Sequence, residues 1–263
     1  MKKRYLLILA VVGIATLASG HMLYAEYPQD ISTDSEMDVW ITYGHSHGEK
    51  TVPDLSVAEV VSPDGDVNEL DLDEYNDGLT ATVEIDEPGC YILNLQMEPN
   101  FVDLAWYGVS GDKELILNYG RGLMTVESGD NYDWSSGEGL EIVPLVDPYG
   151  LEAGDDFRAE VFWNGESIDG DYNAVIVRTP SDLLTIQHAV AEEYDAEGYS
   201  SDGKIEFELT RPGLWVITFF ADTVEESGTW TATNDDPEGH YTQGDELDYD
   251  AIAPTAYLTF WSG

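Results

Sequence analysis

Residues 83–93 read VEIDEPGCYIL, and residues 207–217 read FELTRPGLWVI. Each phrase is a β-rich run, a Pro-Gly turn and a second apolar run. Each carries an aromatic side chain at the same offset, Tyr91 in one and Trp215 in the other. Alternation with a period of two marks a strand with one buried face, and Pro-Gly suits the turn between two such strands. The aromatic ring can then pack between sheets. A unit repeated at an offset of 124 residues has the size of one sandwich domain.

Outward from these phrases the same grammar continues. Met37–Tyr43, Ser56–Val61, Leu79–Ile85 and Cys90–Leu95 read as strands in the first half. Phe157–Trp163, Ala174–Arg178, Lys204–Leu209, Leu214–Phe220 and Ala256–Trp261 do so in the second. Turns rich in Gly, Pro, Asn and Asp separate them. The expected fold is all-β: two immunoglobulin-like antiparallel β-sandwich domains in tandem after an N-terminal signal peptide. The boundaries fall at 1–20 for the signal peptide, 21–140 for the first sandwich and 141–263 for the second. One segment, Pro180 to Tyr194, fits a short helix capped by Ser181 as well as it fits a strand with a long loop.

The amino terminus carries Lys2, Lys3 and Arg4, then an apolar run from Tyr5 to Leu17, then Ala18-Ser19-Gly20. A basic start, a short apolar run and small residues at the cut make a secretory signal peptide. The alternative is a retained signal anchor. Cleavage after Gly20 would make His21 the first residue. It would leave seven basic residues against 53 acidic ones, a net charge of −46. No later run is long enough to cross a membrane, so the mature chain is expected to be exported and not inserted in the bilayer.

The whole chain carries 53 acidic and 10 basic residues in 263. That charge argues against nucleic acid and anionic lipid as electrostatic partners and favours cations. The acids are scattered through turns and strand faces, which is the pattern of a solvated, self-repelling surface. Molar salt shortens the screening length to about 3 Å, so the protein is expected to fold best in concentrated salt, as a halophilic protein does. The nearest calcium-loop phrase, Asp73 to Gly78, has Tyr75 at a ligand position and a strand after it. One cysteine, Cys90, excludes an internal disulfide and any multi-cysteine metal site.

Five histidines remain: His21, His45, His47, His188 and His240. His45 and His47 lie in Tyr43-Gly44-His45-Ser46-His47-Gly48, directly after an extended run, so both rings would face one side if the strand continued. A terminal His21 would add its α-amine and its ring nitrogen. Up to four nitrogens then suit Cu(II) or Ni(II) better than a structural zinc. The expected metal ligands are therefore His21, His45 and His47, with Tyr24, Glu26 and Glu49 able to supply an oxygen or a supporting hydrogen bond. His188 reads as a surface residue, and His240 as a loop residue or a contribution from the second half.

At these residues the sequence resembles the exported, nickel-transport-associated NikM-like family, otherwise described as DUF4198. The resemblance rests on His21-Met22-Leu23-Tyr24, on Tyr43-Gly44-His45, on Leu140 to Asp155 (LEIVPLVDPYGLEAGD), on Arg211-Pro212-Gly213-Leu214-Trp215 and on Ala256 to Trp261. It covers most of the mature chain. His21 and His45 match family positions; His47 departs from the pattern and rests on its spacing alone. The resemblance implies two β domains and extracytoplasmic binding of nickel or cobalt, with copper or zinc as further ions, in association with a membrane metal transporter. No nucleophile triad or distinct acid–base pair stands out, so the expected role is not enzymatic. The alternatives are a cell-surface β-sandwich interaction module without a metal role and a copper redox enzyme built on a terminal histidine.

Overall fold

The computed structural model describes residues 21–45, 49–178 and 194–263. Residues 1–20, expected to be a signal peptide, His47, His188 and most of the ambiguous segment at 180–194 lie outside the described residues. Within them the protein is all-β. Its regular elements are strands and one 3-10 turn, Leu104–Tyr107, with no α-helix among the described residues. Every strand expected from the alternation pattern is present, each within a few residues of its expected ends.

Three sheets build the body. The first contains β1 (Met22–Glu26), β2 (Ser35–Gly44), β3 (Lys50–Thr51), β6 (Asp73–Tyr75) and β7 (Gly78–Ile85). The second takes strands from both sides of residue 140. From the first half come β4 (Leu55–Val61), β5 (Val67–Glu69), β8 (Gly89–Met97), β9 (Asn100–Asp103) and β10 (Lys113–Val126). From the second half come β14 (Gly170–Arg178), β15 (Ala196–Ser200), β17 (Gly213–Ala221) and β20 (Ala251–Ser262). The third sheet contains β11 (Leu140–Pro144), β12 (Asp156–Trp163), β13 (Glu166–Ser167) and β16 (Lys204–Glu208). A two-stranded arm, β18 (Gly228–Thr231) with β19 (Glu246–Tyr249), completes the described strands.

The second sheet is the middle layer, and its strands bury both faces. On β8, Tyr91, Leu93 and Leu95 enter the core shared with the first sheet, whereas Cys90 and Ile92 enter the core shared with the third. On β17, Leu214 and Val216 point one way and Trp215, Ile217 and Phe219 the other. This explains why CYIL and LWVI are apolar without a break: a strand covered on both sides has no polar face to show. Burying each such large side chain contributes roughly 1.5–3 kcal/mol, offset by ordering entropy.

The two Pro-Gly turns are corners between layers and not hairpins within one sheet. Pro88-Gly89 leads from β7 in the first sheet to β8 in the middle one. Pro212-Gly213 leads from β16 in the third sheet to β17 in the middle one. Because the corners arrive from opposite faces, the aromatic at the shared offset enters opposite cores. Each helps fasten its own corner. The Tyr91 hydroxyl accepts from the Asp86 and Glu87 amides at 3.0 and 3.1 Å. Trp215 donates to Ser262 Oγ at 3.1 Å, and Ser262 Oγ reaches the Arg211 carbonyl at 3.5 Å.

The halves are joined along β10 and β20, which pair in parallel from Glu114 opposite Ala251 to Leu123 opposite Phe260. All other ladders among the described strands are antiparallel. At the centre of β10 the sequence is Gly120-Arg121-Gly122. A side chain at Gly120 would come within 2.8 Å of Leu23 Cδ2, so the missing Cβ makes the seat on which β1 rests. Arg121 points to the other face and meets Glu141 of β11.

Candidate metal site

β1 pairs antiparallel with β2, starting at Met22 opposite Gly44. One step beyond that pair, His21 faces His45. Their ring centroids lie 4.6 Å apart with planes at 83°. Tyr43 stands edge-on to His21 at 5.2 Å and 87°. Two of the three expected ligands are thus brought together by strand register.

Gly44 makes the bend after β2 possible. Its φ is +155°, and a Cβ there would collide with the Glu49 carbonyl and approach Lys50 Cα at 2.7 Å. The returning chain closes the bend: the His45 amide donates to the Glu49 carbonyl at 3.1 Å, and Lys50 pairs with Gly44. His47 lies outside the described residues, between these two anchor points.

The main chain of His21 is held from beneath. The Tyr257 hydroxyl, on β20, lies 3.3 Å from the His21 carbonyl oxygen and 3.2 Å from Asn118 Oδ1 of β10. Burial holds the Tyr257 phenol well above its ordinary value, with Tyr43 adding to the effect, and burial likewise raises Tyr43. Both phenols stay protonated donors at any physiological pH. No sequence signal marks Tyr257 or Asn118 as neighbours of His21; the link is tertiary.

The other candidates are placed elsewhere. The Glu26 carboxylate, at the far end of β1, is held by Lys50 Nζ at 3.1 Å and Arg178 Nη1 at 3.3 Å. The Tyr24 ring lies 5.3 Å from the Lys50 ammonium, which also sits 4.3 Å over Trp40. His240 stacks on Trp106 at 4.3 Å and 4°, with Nδ1 2.8 Å from Asp236 Oδ2. Beside it, Trp230, Ala232 and Tyr241 of the β18–β19 arm pack with Phe101 and Trp106. Asp73 to Gly78 forms β6 and the turn into β7, not a calcium loop.

Among the described residues no group of three or more His, Cys, Asp or Glu side chains gathers as a metal cage. At the start of β1 the structure brings together two imidazoles, those of His21 and His45.

Layered β-sheets with paired imidazoles at a strand start define an all-β protein with a candidate nitrogen site. The chain belongs to the DUF4198 family, a domain of unknown function, whose profile matches residues 18–223. No curated protein matches the sequence. Among solved structures, a DUF4785 family protein from Legionella pneumophila is similar at 12% identity, with a TM-score of 0.29 and coverage of 88% of this chain and 55% of that one. The chain thus spans about half the length of that protein. The fibronectin(III)-like modules of Clostridium thermocellum CbhA match at 10% identity with a TM-score of 0.20, covering 91% of this chain and 95% of that one. No helix among the described residues is long and apolar enough to cross a membrane.

Proposed function

We propose that this protein captures a transition-metal ion outside the cytoplasm, with nickel or cobalt as cargo, and serves a membrane metal transporter as an accessory without enzymatic activity. The ligands are His21, His45 and His47, joined by the His21 α-amine once the signal peptide is removed after Gly20. The reading treats residues 21–140 and 141–263 as two immunoglobulin-like units fused through β10 and β20.

The observation that carries it is the His21–His45 contact, 4.6 Å between centroids across the strand register. Nitrogen donors of this kind suit Ni(II) and Cu(II). The acidic surface raises the local cation concentration.

Calorimetric titration of the processed protein with Ni(II), Co(II), Cu(II) and Zn(II) tests the proposal. One site is expected, with an affinity that depends on pH because the nitrogen ligands must be deprotonated to bind. His45→Ala should abolish it. Flat titrations with all four ions would overturn the proposal and leave a cell-surface interaction module.

A further inference from the structure

We infer that Tyr257 is a positioning residue for His21: it ties the first residue after the expected cut to the core and so keeps its donors beside His45. The inference rests on the metal reading above and adds to it a residue from the opposite end of the sequence.

A chain terminus ordinarily frays, and a ligand on a frayed end must be ordered when the ion binds. The β1–β2 ladder begins at Met22, so it does not include His21. Two features on the middle sheet make up for this. Leu23 is fully buried against the seat at Gly120. Just before it, the Tyr257 hydroxyl meets the His21 carbonyl at 3.3 Å.

Tyr257 is itself almost fully buried, opposite Gly120 on the parallel ladder. Its one proton is shared between the His21 carbonyl and Asn118 Oδ1. Asn118 lies on the same central strand and is also buried. If His21 moved away, the hydroxyl would keep Asn118 Oδ1 as its acceptor and lose the His21 carbonyl, so the contact favours the position beside His45. With Tyr43 edge-on to the ring and Tyr257 on the carbonyl, His21 is fixed at two points.

The test compares Tyr257→Phe with Tyr27→Phe in the processed full-length chain. Tyr27 is a second buried phenol, bonded to the Leu123 and Thr259 carbonyls at 2.8 and 3.2 Å and remote from His21 in the ladder. Ni(II) affinity should fall about 10–100-fold in Tyr257→Phe, the range typical of outer hydrogen-bond partners. The ligand-field spectrum of the bound ion should change with it. Tyr27→Phe should lower the melting temperature but keep wild-type affinity and spectrum. Without metal, amide exchange in β1 should accelerate at Met22 and Leu23 in Tyr257→Phe only.

Wild-type affinity, spectrum and exchange in Tyr257→Phe would overturn the inference, as would equal losses in both variants. If the wild type binds none of the ions, the metal reading fails alone. The exchange comparison then still decides whether Tyr257 holds His21.

Discussion

Arg121 and Glu141 form an ion pair of 2.7 Å between the middle and third sheets, with side chains 5% and 7% exposed. Glu141 also accepts from Ser135 Oγ at 2.5 Å and from the Ser136 and Gly137 amides at 2.9 and 3.0 Å. One carboxylate thus neutralises a buried guanidinium and organises the loop that leads into β11.

Burial works to raise the Glu141 carboxyl, but Arg121 and the hydrogen bonds outweigh it and hold the group below its ordinary value. A depressed carboxyl contributes stability above the unfolded value, near 4.3, and loses it as pH falls through the folded one. Glu141→Gln should therefore cost about 3–5 kcal/mol near neutral pH by stranding Arg121. The gap between wild type and variant should close as pH drops below the carboxylate range. Urea melts of both proteins at neutral pH and near pH 3 check this.

Gly120→Ala would force a methyl group towards Leu23 Cδ2 at 2.8 Å and Leu95 Cβ at 3.3 Å. Overpacking of this kind costs about 1–3 kcal/mol. Leu23→Ala alone should cost about 2–5 kcal/mol, because Leu23 is wholly buried. The double variant should be less destabilised than the sum, since the smaller side chain makes room for the new methyl. Additive losses would show that the two residues do not share one seat.

Cys90 is buried in the core between the middle and third sheets, and burial, with Asp147 adding, pushes its thiol far above the ordinary range. The thiolate is the reactive form, so Cys90 should resist a thiol reagent in the native protein and react fully in denaturant. Labelling followed by mass spectrometry measures both.

A formal charge of −43 should make stability depend on salt. The melting temperature is expected to rise from dilute buffer to molar salt as the Debye length contracts from about 10 Å to about 3 Å. Identical melts at both salt concentrations would contradict this.

In the outer sheets β2, β7, β12 and β16 were legible because each alternates between polar and apolar residues. The middle strands were legible too, since unbroken apolar runs between turn residues have few other readings. β10 was not. Asn118, Gly120 and Arg121 interrupt its apolar pattern, and each is explained by a partner elsewhere in the chain: Tyr257, Leu23 and Glu141 respectively. For the same reason His21 and His45 stood out as strand-end histidines, while Tyr257, 236 positions from His21, did not. The Pro-Gly phrases announced their corners but could not say which sheet each one left.

The parallel ladder between β10 and β20 has a consequence for synthesis. A polypeptide emerging from a ribosome or a translocation channel cannot complete its central layer until residues 251–262 have emerged. Such long-range closure slows folding and keeps the nascent chain pliable for longer. By the same logic, clipping those twelve residues would not trim a dispensable tail; it would remove a middle plank and leave two half-built cores open to water.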